Sequence, residues 1–199
     1  MRLVLFCRFE VAVKRATDPN AKEEMLHEAK TMARLTKNRN IVNLQGICIH
    51  QNQTYLILEY CALGSVESYL RKHAGRYMDC IKNQDYEFLF QCCIQVIEGM
   101  LFLIDREIIH GDLAARNVLI TSNKTIKVAD FGLSHRLYLQ QDFCKSPKTK
   151  DVPFLYSAIE VVSGEMTILE CSDIWSFAVY MWEVFGLCRA IPYSSRING

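Results

Sequence analysis

The 199-residue sequence lacks an excess of charge of either sign, because 23 lysines and arginines are balanced by 22 aspartates and glutamates. A net charge of +1 argues against a nucleic-acid-binding surface or a polybasic membrane anchor, since both concentrate cations. No apolar run has the length that a bilayer requires. The first seven residues are apolar but too short for a signal peptide, and they have no small-residue cleavage site. We therefore predict no nucleic-acid partner and no membrane segment.

The sequence also lacks any C-x-x-C pair, although it contains nine cysteines. Cys92 and Cys93 are adjacent in an apolar stretch and the other cysteines are scattered, which matches neither a zinc site nor a disulfide framework. Half of the residues are apolar, which excludes a disordered chain and allows one sizeable core or two small lobes. We predict reduced, mostly buried thiols and a cytoplasmic location.

The first 60 residues alternate between strand and helix patterns. Residues 10–14 (EVAVK) predict a strand, and Asp18-Pro19 predicts the start of a charged helix that reaches about residue 37. Residues 41–50 and 54–60 predict an antiparallel pair that turns at Gln51-Asn52.

After a composition change near residues 61–64, the pattern becomes mostly helical. The predicted elements are helices over 65–73, 85–105 and 172–185, with caps at Asp85 and Ser172 and a stop at Gly186, and short strands over 118–120 and 125–128. Residues 132–152 have no sustained pattern and predict a loop. The fold class predicted from these elements is α+β.

The residues that indicate chemistry lie in and after residues 110–117 (HGDLAARN). Asp112 and Asn117 are five residues apart in a predicted loop, and Asp130 follows a predicted hairpin. Three oxygen ligands brought together in this way suit phosphoryl transfer. Magnesium takes few protein oxygens in addition to phosphates, and one carboxylate must orient the attacking hydroxyl.

These residues resemble the motifs of protein kinases. The segments involved are VAVK at 11–14, LAAR at 113–116, DFG at 130–132 and SDIWSF at 172–177, in the order that the family has. LAAR is the tyrosine-kinase form of the catalytic loop. Within that family, IVNLQG at 41–46 and EYC at 59–61 resemble receptor tyrosine kinases of the platelet-derived and vascular endothelial growth factor type.

The resemblance implies a two-lobed kinase-like α+β fold and a set of catalytic residues. Residues 1–60 would form part of the small lobe, 61–64 the hinge and 65–199 part of the large lobe. Asp112 would be the catalytic base, and Arg116 would steady the base and the hydroxyl.

The resemblance also implies how ATP and Mg²⁺ would be held. Lys14 would bind the α- and β-phosphates and pair with Glu28, while Asn117 and Asp130 would bind Mg²⁺. The residue pattern supports the first pair, because Glu28 shares one helix face with Met25 and Met32, and a carboxylate on an apolar face favours a cationic partner. The alternative is a boundary glutamate with its carboxylate in water.

For the base of ATP, the resemblance implies an apolar slot. Leu58 would be the gatekeeper, Glu59 to Cys61 would bond adenine through the backbone, and Ala12 and Leu119 would enclose the ring. A stacked spine of Met32, Leu44, His110 and Phe131 and a backbone acceptor, Asp173, would support the site. For Met32, Leu44 and Leu119, a plain core role is equally compatible with the residue types.

Several positions depart from the kinase pattern. No glycine precedes Gly46, so the glycine-rich phosphate loop is not in the sequence, and the sequence stops soon after Pro192-Tyr193. We therefore expect a kinase fragment that is truncated at both ends and impaired in activity.

Other departures concern regulation and substrate docking. Gly111 replaces the arginine that grips an activation-loop phosphate, and Phe143 stands where the phosphorylated tyrosine is expected, with Tyr138 at an earlier position. Leu155 and Tyr156 replace a basic residue and a tryptophan, and Ile159 replaces the proline before Glu160.

Three functions remain open from the sequence. The first is a protein tyrosine kinase that transfers the ATP γ-phosphate to a tyrosine of a protein substrate, with a membrane receptor as the parent protein. The second is a pseudokinase that serves as a scaffold without transfer, which the departures favour. The third is a non-kinase α/β binding domain, against which the order of the motifs argues.

Overall fold

The computed structural model describes residues 2–6, 9–16, 21–51, 53–83, 85–136, 153–163 and 170–194. The strands are β1 (Arg2–Phe6), β2 (Phe9–Arg15), β3 (Leu44–His50), β4 (Gln53–Glu59), β5 (Gly64–Ser65), β6 (Ile108–Ile109), β7 (Val118–Ile120), β8 (Ile126–Val128) and β9 (His135–Arg136). The helices are α1 (Ala21–Arg34), α2 (Val66–Lys72), α3 (Ala74–Lys82), α4 (Glu87–Ile104), α5 (Ile159–Val162) and α6 (Glu170–Phe185), and short 3₁₀ turns cover Ala115–Asn117 and Phe154–Tyr156.

The N-terminal part is an antiparallel sheet with α1 against it. The strand order is β1-β2-β4-β3, and α1 buries Met25, Ala29 and Met32 toward the sheet. The predicted strand and the predicted antiparallel pair are both confirmed, while β1 was not expected. Asp18 and Pro19, the predicted helix start, lie outside the described residues, as does Asn52 of the predicted turn. The helix ends at Arg34, three residues before the predicted end.

The helical part follows the predictions with three differences, one of which is that α5 was not expected. Ser65 caps α2 by accepting a hydrogen bond from the Ser68 amide at 3.1 Å, and the Asp85 carboxylate accepts from the Glu87 amide at 3.3 Å at the start of α4. Helix α3 was not expected. The predicted cap at Ser172 was wrong, because α6 already begins at Glu170 and Ser172 lies inside it. The predicted stop is confirmed, since α6 ends just before Gly186.

Two small sheets connect these helices. Strand β7 pairs with β5 and β8, as the predicted hairpin requires, and β9 pairs with β6. The prediction of a loop from residue 132 was therefore wrong at residues 135 and 136, where a two-residue strand finds its partner in β6. A pairing this short depends on the partner strand and leaves no local pattern. Residues 137–152 of that predicted loop lie outside the described residues.

Helix α4 packs one face against β8 and α6 and buries Leu89, Cys92, Val96 and Leu103. By length and composition alone it is also long and apolar enough to cross a membrane, a test that core helices of soluble proteins pass as well. The expectation that no apolar run reaches this length was wrong, because the few polar residues in α4 leave its mean hydropathy high. The absence of a membrane segment stays a prediction.

One continuous apolar core links the sheet, α1 and the helices, so the described architecture is α+β as predicted. The cysteines in the described part of the chain are all free, and Cys61, Cys92, Cys93 and Cys188 are buried, in agreement with the expected thiols. The division into residues 1–60, 61–64 and 65–199 stays a prediction.

Candidate active site

Lys14 lies between two carboxylates at the point where β2 faces α1 and the segment after β8. Its Nζ donates to Glu28 Oε2 at 2.7 Å and to Asp130 Oδ1 at 2.8 Å. Glu28 is only 2 % exposed, and the Phe131 backbone amide adds a further hydrogen bond to its carboxylate. The helix-face pattern of α1 therefore does bring Glu28 to a cation, rather than leaving its carboxylate in water.

The charges of this cluster shift one another's protonation. Burial lowers the pKa of Lys14, but Glu28 and Asp130 outweigh that effect and raise it above the usual value. Burial raises the pKa of Asp130, but the charge and hydrogen bond of Lys14 bring it below the usual value. For Glu28, burial dominates and the pKa is raised. The ammonium and the Asp130 carboxylate are thus both charged at neutral pH.

Asp112 is held by two side chains of its own loop. Arg116 Nη2 donates to Asp112 Oδ1, and Asn117 Nδ2 donates to Asp112 Oδ2 at 2.7 Å and to the Asp112 carbonyl at 2.8 Å. The 3₁₀ turn over Ala115–Asn117 makes this possible, because it folds both donors back over the aspartate. Burial raises the pKa of Asp112. The charge of Arg116 and the hydrogen bond from Asn117 partly offset this effect, while the negative charge of Asp130 raises the pKa of Asp112 further. Asp112 and Asp130 therefore act on each other electrostatically in one site.

The backbone of this loop is fixed from α6. Asp173 accepts hydrogen bonds from the amides of His110 at 2.8 Å and Gly111 at 3.0 Å. The expectation that Asp173 is a backbone acceptor is confirmed. Gly111 has φ of +77°, and a Cβ there would lie 2.8 Å from the Leu133 carbonyl oxygen. Only glycine fits this position without movement, which gives the departure from arginine a local physical reason.

Two of the four expected spine residues are in ring contact behind the site, and the other two belong to the same apolar core. Phe131 and His110 are fully buried, with ring centroids 5.3 Å apart in an edge-to-face arrangement, and Met32 is buried as well. Leu44 packs at the edge of the same core and is half-buried. His110 Nε2 contacts the Ala129 carbonyl at 3.0 Å, which ties the loop to the strand end before Asp130. The packing holds Asp130 at the cleft.

The residues expected to enclose adenine come from β2, β4 and β7. Ala12 pairs with Leu58 across the sheet and both are buried, while Leu119 is half-buried. The Cys61 thiol is buried, which raises its pKa to about 12 and leaves it neutral. The Glu59 amide donates to the Asn43 carbonyl at 2.9 Å, so this N–H is already used within the protein.

The Glu59 side chain belongs to a second ionic network, which we did not expect. Glu59 Oε2 accepts from Asn43 Nδ2 at 2.6 Å and from Lys127 Nζ at 3.1 Å, and Lys127 also donates to the Ile41 carbonyl at 3.2 Å. Lys127 is buried between Ile126 and Val128 on β8. A lysine inside a short apolar strand is a sequence signal of a paired charge, as a glutamate on an apolar helix face is.

Glu183 is a buried acid that we did not single out from the sequence. It is 4 % exposed on α6, accepts from the Ala115 amide at 2.8 Å and from the Tyr156 hydroxyl at 2.7 Å, and thus contacts the loop of Asp112. Its position inside the apolar α6 was the signal that could have identified it. The side chain of Glu160 and the whole of Tyr138 and Phe143 lie outside the described residues, so the expectations placed on them stay predictions.

A magnesium ion fits the donors of this site. Asn117 uses its amide nitrogen on Asp112, so its Oδ1 would be the atom to hold the ion, together with the carboxylate of Asp130. Among the described residues there is no cluster of three or more histidine, cysteine, aspartate or glutamate side chains that could hold a metal. One carboxylate, one amide oxygen and phosphate oxygens match the preference of Mg²⁺ for few protein ligands.

Comparison with known proteins agrees with this geometry. The family model described as protein tyrosine and serine/threonine kinase matches residues 7–198. The chain is 35 % identical over 189 residues to fibroblast growth factor receptor 1 of Xenopus laevis, covering 89 % of this chain and 23 % of the receptor. It is 36 % identical over 178 residues to the tyrosine-protein kinase Btk of Drosophila melanogaster, covering 89 % of this chain and 21 % of that protein.

A fibroblast growth factor receptor of Halocynthia roretzi is 32 % identical over 189 residues, covering 85 % of this chain and 24 % of the receptor. The chain spans less than a quarter of the length of these curated relatives. The relatives support a receptor-type tyrosine kinase, and they do not support the narrower resemblance to the platelet-derived and vascular endothelial growth factor type. The matched residues include every segment of the site described above, and the chain belongs to the protein tyrosine and serine/threonine kinase family as a tyrosine kinase domain.

Proposed function

We propose that this domain transfers the γ-phosphate of ATP to a tyrosine hydroxyl of a protein substrate. The observation that carries the proposal is the position of Lys14, whose ammonium bonds Glu28 and Asp130 at the same time. Lys14 on its strand is held by Glu28 of the helix, and its ammonium also contacts Asp130, whose side chain is 46 % exposed. That arrangement provides a fixed cation for phosphate oxygens.

Asp112 is the residue that orients the attacking hydroxyl. Arg116 and Asn117 each hold one of its carboxylate oxygens, which fixes the direction from which a hydroxyl can donate its proton. Burial, with a smaller contribution from the Asp130 charge, raises the pKa of Asp112, which strengthens it as a proton acceptor.

Lys14 and Asp130 act at the phosphates. Lys14 binds the α- and β-phosphates as a point charge, while Asn117 and Asp130 hold Mg²⁺, which neutralises phosphate charge when it is bound. The buried pair of Ala12 and Leu58 and the half-buried Leu119 provide apolar contacts for adenine, and the backbone of Glu59 to Cys61 supplies its hydrogen bonds.

The parent protein and its location follow from the same proposal. Two of the relatives above are named as growth factor receptors, and we infer that this domain belongs to a membrane receptor and works in the cytoplasm. Free thiols at the described cysteines suit a reducing compartment. The substrate is a protein with an accessible tyrosine.

The test is a phosphotransfer assay on the purified chain with Mg-ATP and a tyrosine-containing peptide. We expect phosphotyrosine formation that falls at least about a hundredfold in Asp112→Asn. We also expect Mg-ATP to raise the unfolding temperature of the wild type more than that of Lys14→Met, because a charge-assisted bond contributes about 1.5–3 kcal/mol. Lys30→Met, at an exposed position on the same helix as Glu28, is the control and should respond like the wild type.

A pseudokinase is the second candidate, and the docking segment favours it. Ile159 is 73 % exposed where the family has proline, and Leu155 and Tyr156 replace the basic residue and the tryptophan. In that case Mg-ATP stabilises the wild type and not Lys14→Met, while no peptide is phosphorylated. Equal stabilisation of both proteins, together with absence of transfer, would contradict both candidates.

A further inference from the structure

Tyr156 connects the docking segment to the catalytic loop through both parts of its side chain. The hydroxyl donates to Glu183 Oε1 at 2.7 Å, and the ring lies under the Arg116 guanidinium, with 4.5 Å from the guanidinium carbon to the ring centroid. The Tyr156 carbonyl accepts from Ser176 Oγ at 2.7 Å, which fixes the backbone to α6. Tyr156 is therefore held at three points, two through its side chain and one through its backbone carbonyl.

The hydroxyl acts on the catalytic loop through Glu183. This buried carboxylate divides its oxygens between the Tyr156 hydroxyl and the Ala115 amide at 2.8 Å. Burial raises the pKa of Glu183, and the two donors partly offset that effect. Removing the hydroxyl takes the donor from Glu183 Oε1 and leaves the buried carboxylate with one of these two donors, which costs more than the hydrogen bond itself was worth. The remaining oxygen is the one that holds Ala115.

The ring acts on Asp112 through Arg116. The guanidinium lies over the ring at 4.5 Å and at the same time donates from Nη2 to Asp112 Oδ1. A cation over an aromatic face is attracted to it electrostatically, and the flat ring also limits how far the guanidinium can tilt. Arg116 is otherwise an exposed residue, and the Tyr156 ring is a protein surface that its guanidinium contacts.

We propose that Tyr156 is a positioning residue: its ring orients Arg116 against Asp112, and its hydroxyl holds Glu183 against the backbone at Ala115. This inference deepens the proposed function and rests on it for its effect on transfer. The two contacts meet on one loop of six residues, 112–117, so the base is supported from its side chain and from its backbone. The tyrosine thereby takes a role for which both its ring and its hydroxyl are needed, and neither leucine nor phenylalanine has both.

The experiment uses the 199-residue chain with Tyr156→Leu, which removes ring and hydroxyl, and Tyr156→Phe, which removes the hydroxyl alone. The first readout is the kinetic split. We expect Tyr156→Leu to lower kcat for peptide phosphorylation by roughly ten- to a hundredfold while KM for Mg-ATP stays within about twofold. Tyr156→Phe should also lower kcat, by roughly three- to tenfold, a smaller loss because the support of Arg116 by the ring remains.

The second readout needs no activity. In ¹⁵N-arginine-labelled chain, the Arg116 Nε–H resonance, assigned by its loss in Arg116→Lys, is shifted by the aromatic ring beneath it. Tyr156→Leu should move this resonance and Tyr156→Phe should keep it. The control is Tyr77→Leu, which removes a tyrosine packed against Tyr69 and Phe88, and should lower the unfolding temperature while leaving kcat and the resonance unchanged.

An unchanged Arg116 resonance and an unchanged kcat in Tyr156→Leu would overturn the proposal, as would an equal loss of kcat in Tyr77→Leu. If Tyr156→Leu does not fold, Tyr156→Phe decides, because wild-type kcat in that variant contradicts the role of the hydroxyl. A wild-type chain that transfers no phosphate refutes the proposed function, and the resonance then still decides whether Tyr156 orients Arg116.

Discussion

Two residues of the site, Lys14 and Asp112, each bond two side chains at once. Lys14 bonds two carboxylates at once, and Asp112 receives two donors from its own loop. Glu28 is buried and Asp130 is half-exposed. The same lysine therefore neutralises a buried carboxylate and holds one that solvent can reach. The protonation of Asp130 therefore has consequences for stability as well as for binding.

Asp130→Asn should reduce stability at neutral pH but hardly at all in acid. The pKa of Asp130 is lowered in the folded protein, so its stabilisation is present above the usual value of 3.8 and is lost as pH falls through the lower folded value. We expect a deficit of about 1 kcal/mol or less at pH 7, discounted because the side chain is half-exposed. Urea unfolding at pH 7 and near pH 3 measures the difference between the two proteins.

The control for that series is Asp79→Asn, at an exposed pair with Lys82, which should change stability little at either pH. A deficit of Asp130→Asn that grows as the pH falls would contradict the direction of the Asp130 shift.

At the scale of elements, the catalytic loop is wedged between α6 and the segment after β8. Asp173 holds the amides of His110 and Gly111, and the Leu133 carbonyl lies directly against Gly111. Asp173 thus fixes the backbone of the loop from one side, and the Leu133 carbonyl fills the space next to Gly111 on the other side. A side chain at Gly111 must displace one of these neighbours.

Gly111→Ala should destabilise the protein by about 1–3 kcal/mol, from the strain of a positive φ and a Cβ contact of 2.8 Å with backbone. Gly46→Ala is the matched control, because a Cβ at Gly46 meets nothing within 4 Å. Chemical unfolding of both variants measures the contrast. Equal stabilities of Gly111→Ala and Gly46→Ala would show that the loop can move to accept a Cβ at residue 111. In that case Gly111→Arg, which restores the usual kinase residue, would also be tolerated.

Lys127→Met should destabilise the connection between β4 and β8 by about 1–3 kcal/mol, because Glu59 and the Ile41 carbonyl lose a buried donor. Adding Glu59→Leu should recover part of the loss, since a partly buried charge without its partner costs more than no charge. Lys82→Met removes an exposed pair and should change stability by no more than about 0.5 kcal/mol. A double variant that is less stable than Lys127→Met would contradict this account.

At the scale of the whole molecule, α4 presents an apolar stripe opposite its buried face. The stripe consists of Phe90, Ile94, Ile97, Leu101 and Ile104, which are 37–55 % exposed. On α6, Trp182 and Phe185 are exposed as well, and Phe185 contacts Phe90 with ring centroids 5.5 Å apart. A contiguous surface of this kind favours association.

We therefore expect the 199-residue chain to self-associate as its concentration rises, and Ile97→Lys to reduce this. Because Ile97 lies on the exposed stripe, the change in stability should stay within about 0.5 kcal/mol. Light scattering over a concentration series is the measurement. Val96→Lys, one residue away on the buried face, should instead unfold the protein or cost several kcal/mol. Unchanged association in Ile97→Lys would show that another surface is responsible.

The parts of the fold that were predictable are those with a local physical cause. Residue 65 was predicted to start a helix, and its hydroxyl accepts an amide hydrogen bond at the start of α2. Asp85 was predicted as a cap, and its carboxylate accepts the Glu87 amide just before α4. Glu28 was identified by its place on the apolar face of α1. The parts that were not predictable depend on distant partners. Strand β9 has two residues and exists because β6 lies beside it.

The sequence by itself determined the family, the order of the motifs and the identities of the charged residues, because these are fixed by residue types at short spacing. Only the tertiary structure decided which charges meet. It brought Glu59 to Lys127, 68 positions later, and Tyr156 to Glu183 and Arg116. Such pairs leave no periodic signal, since a hydrogen bond or ion pair depends on distances of about 3 Å in space, whatever the separation along the chain.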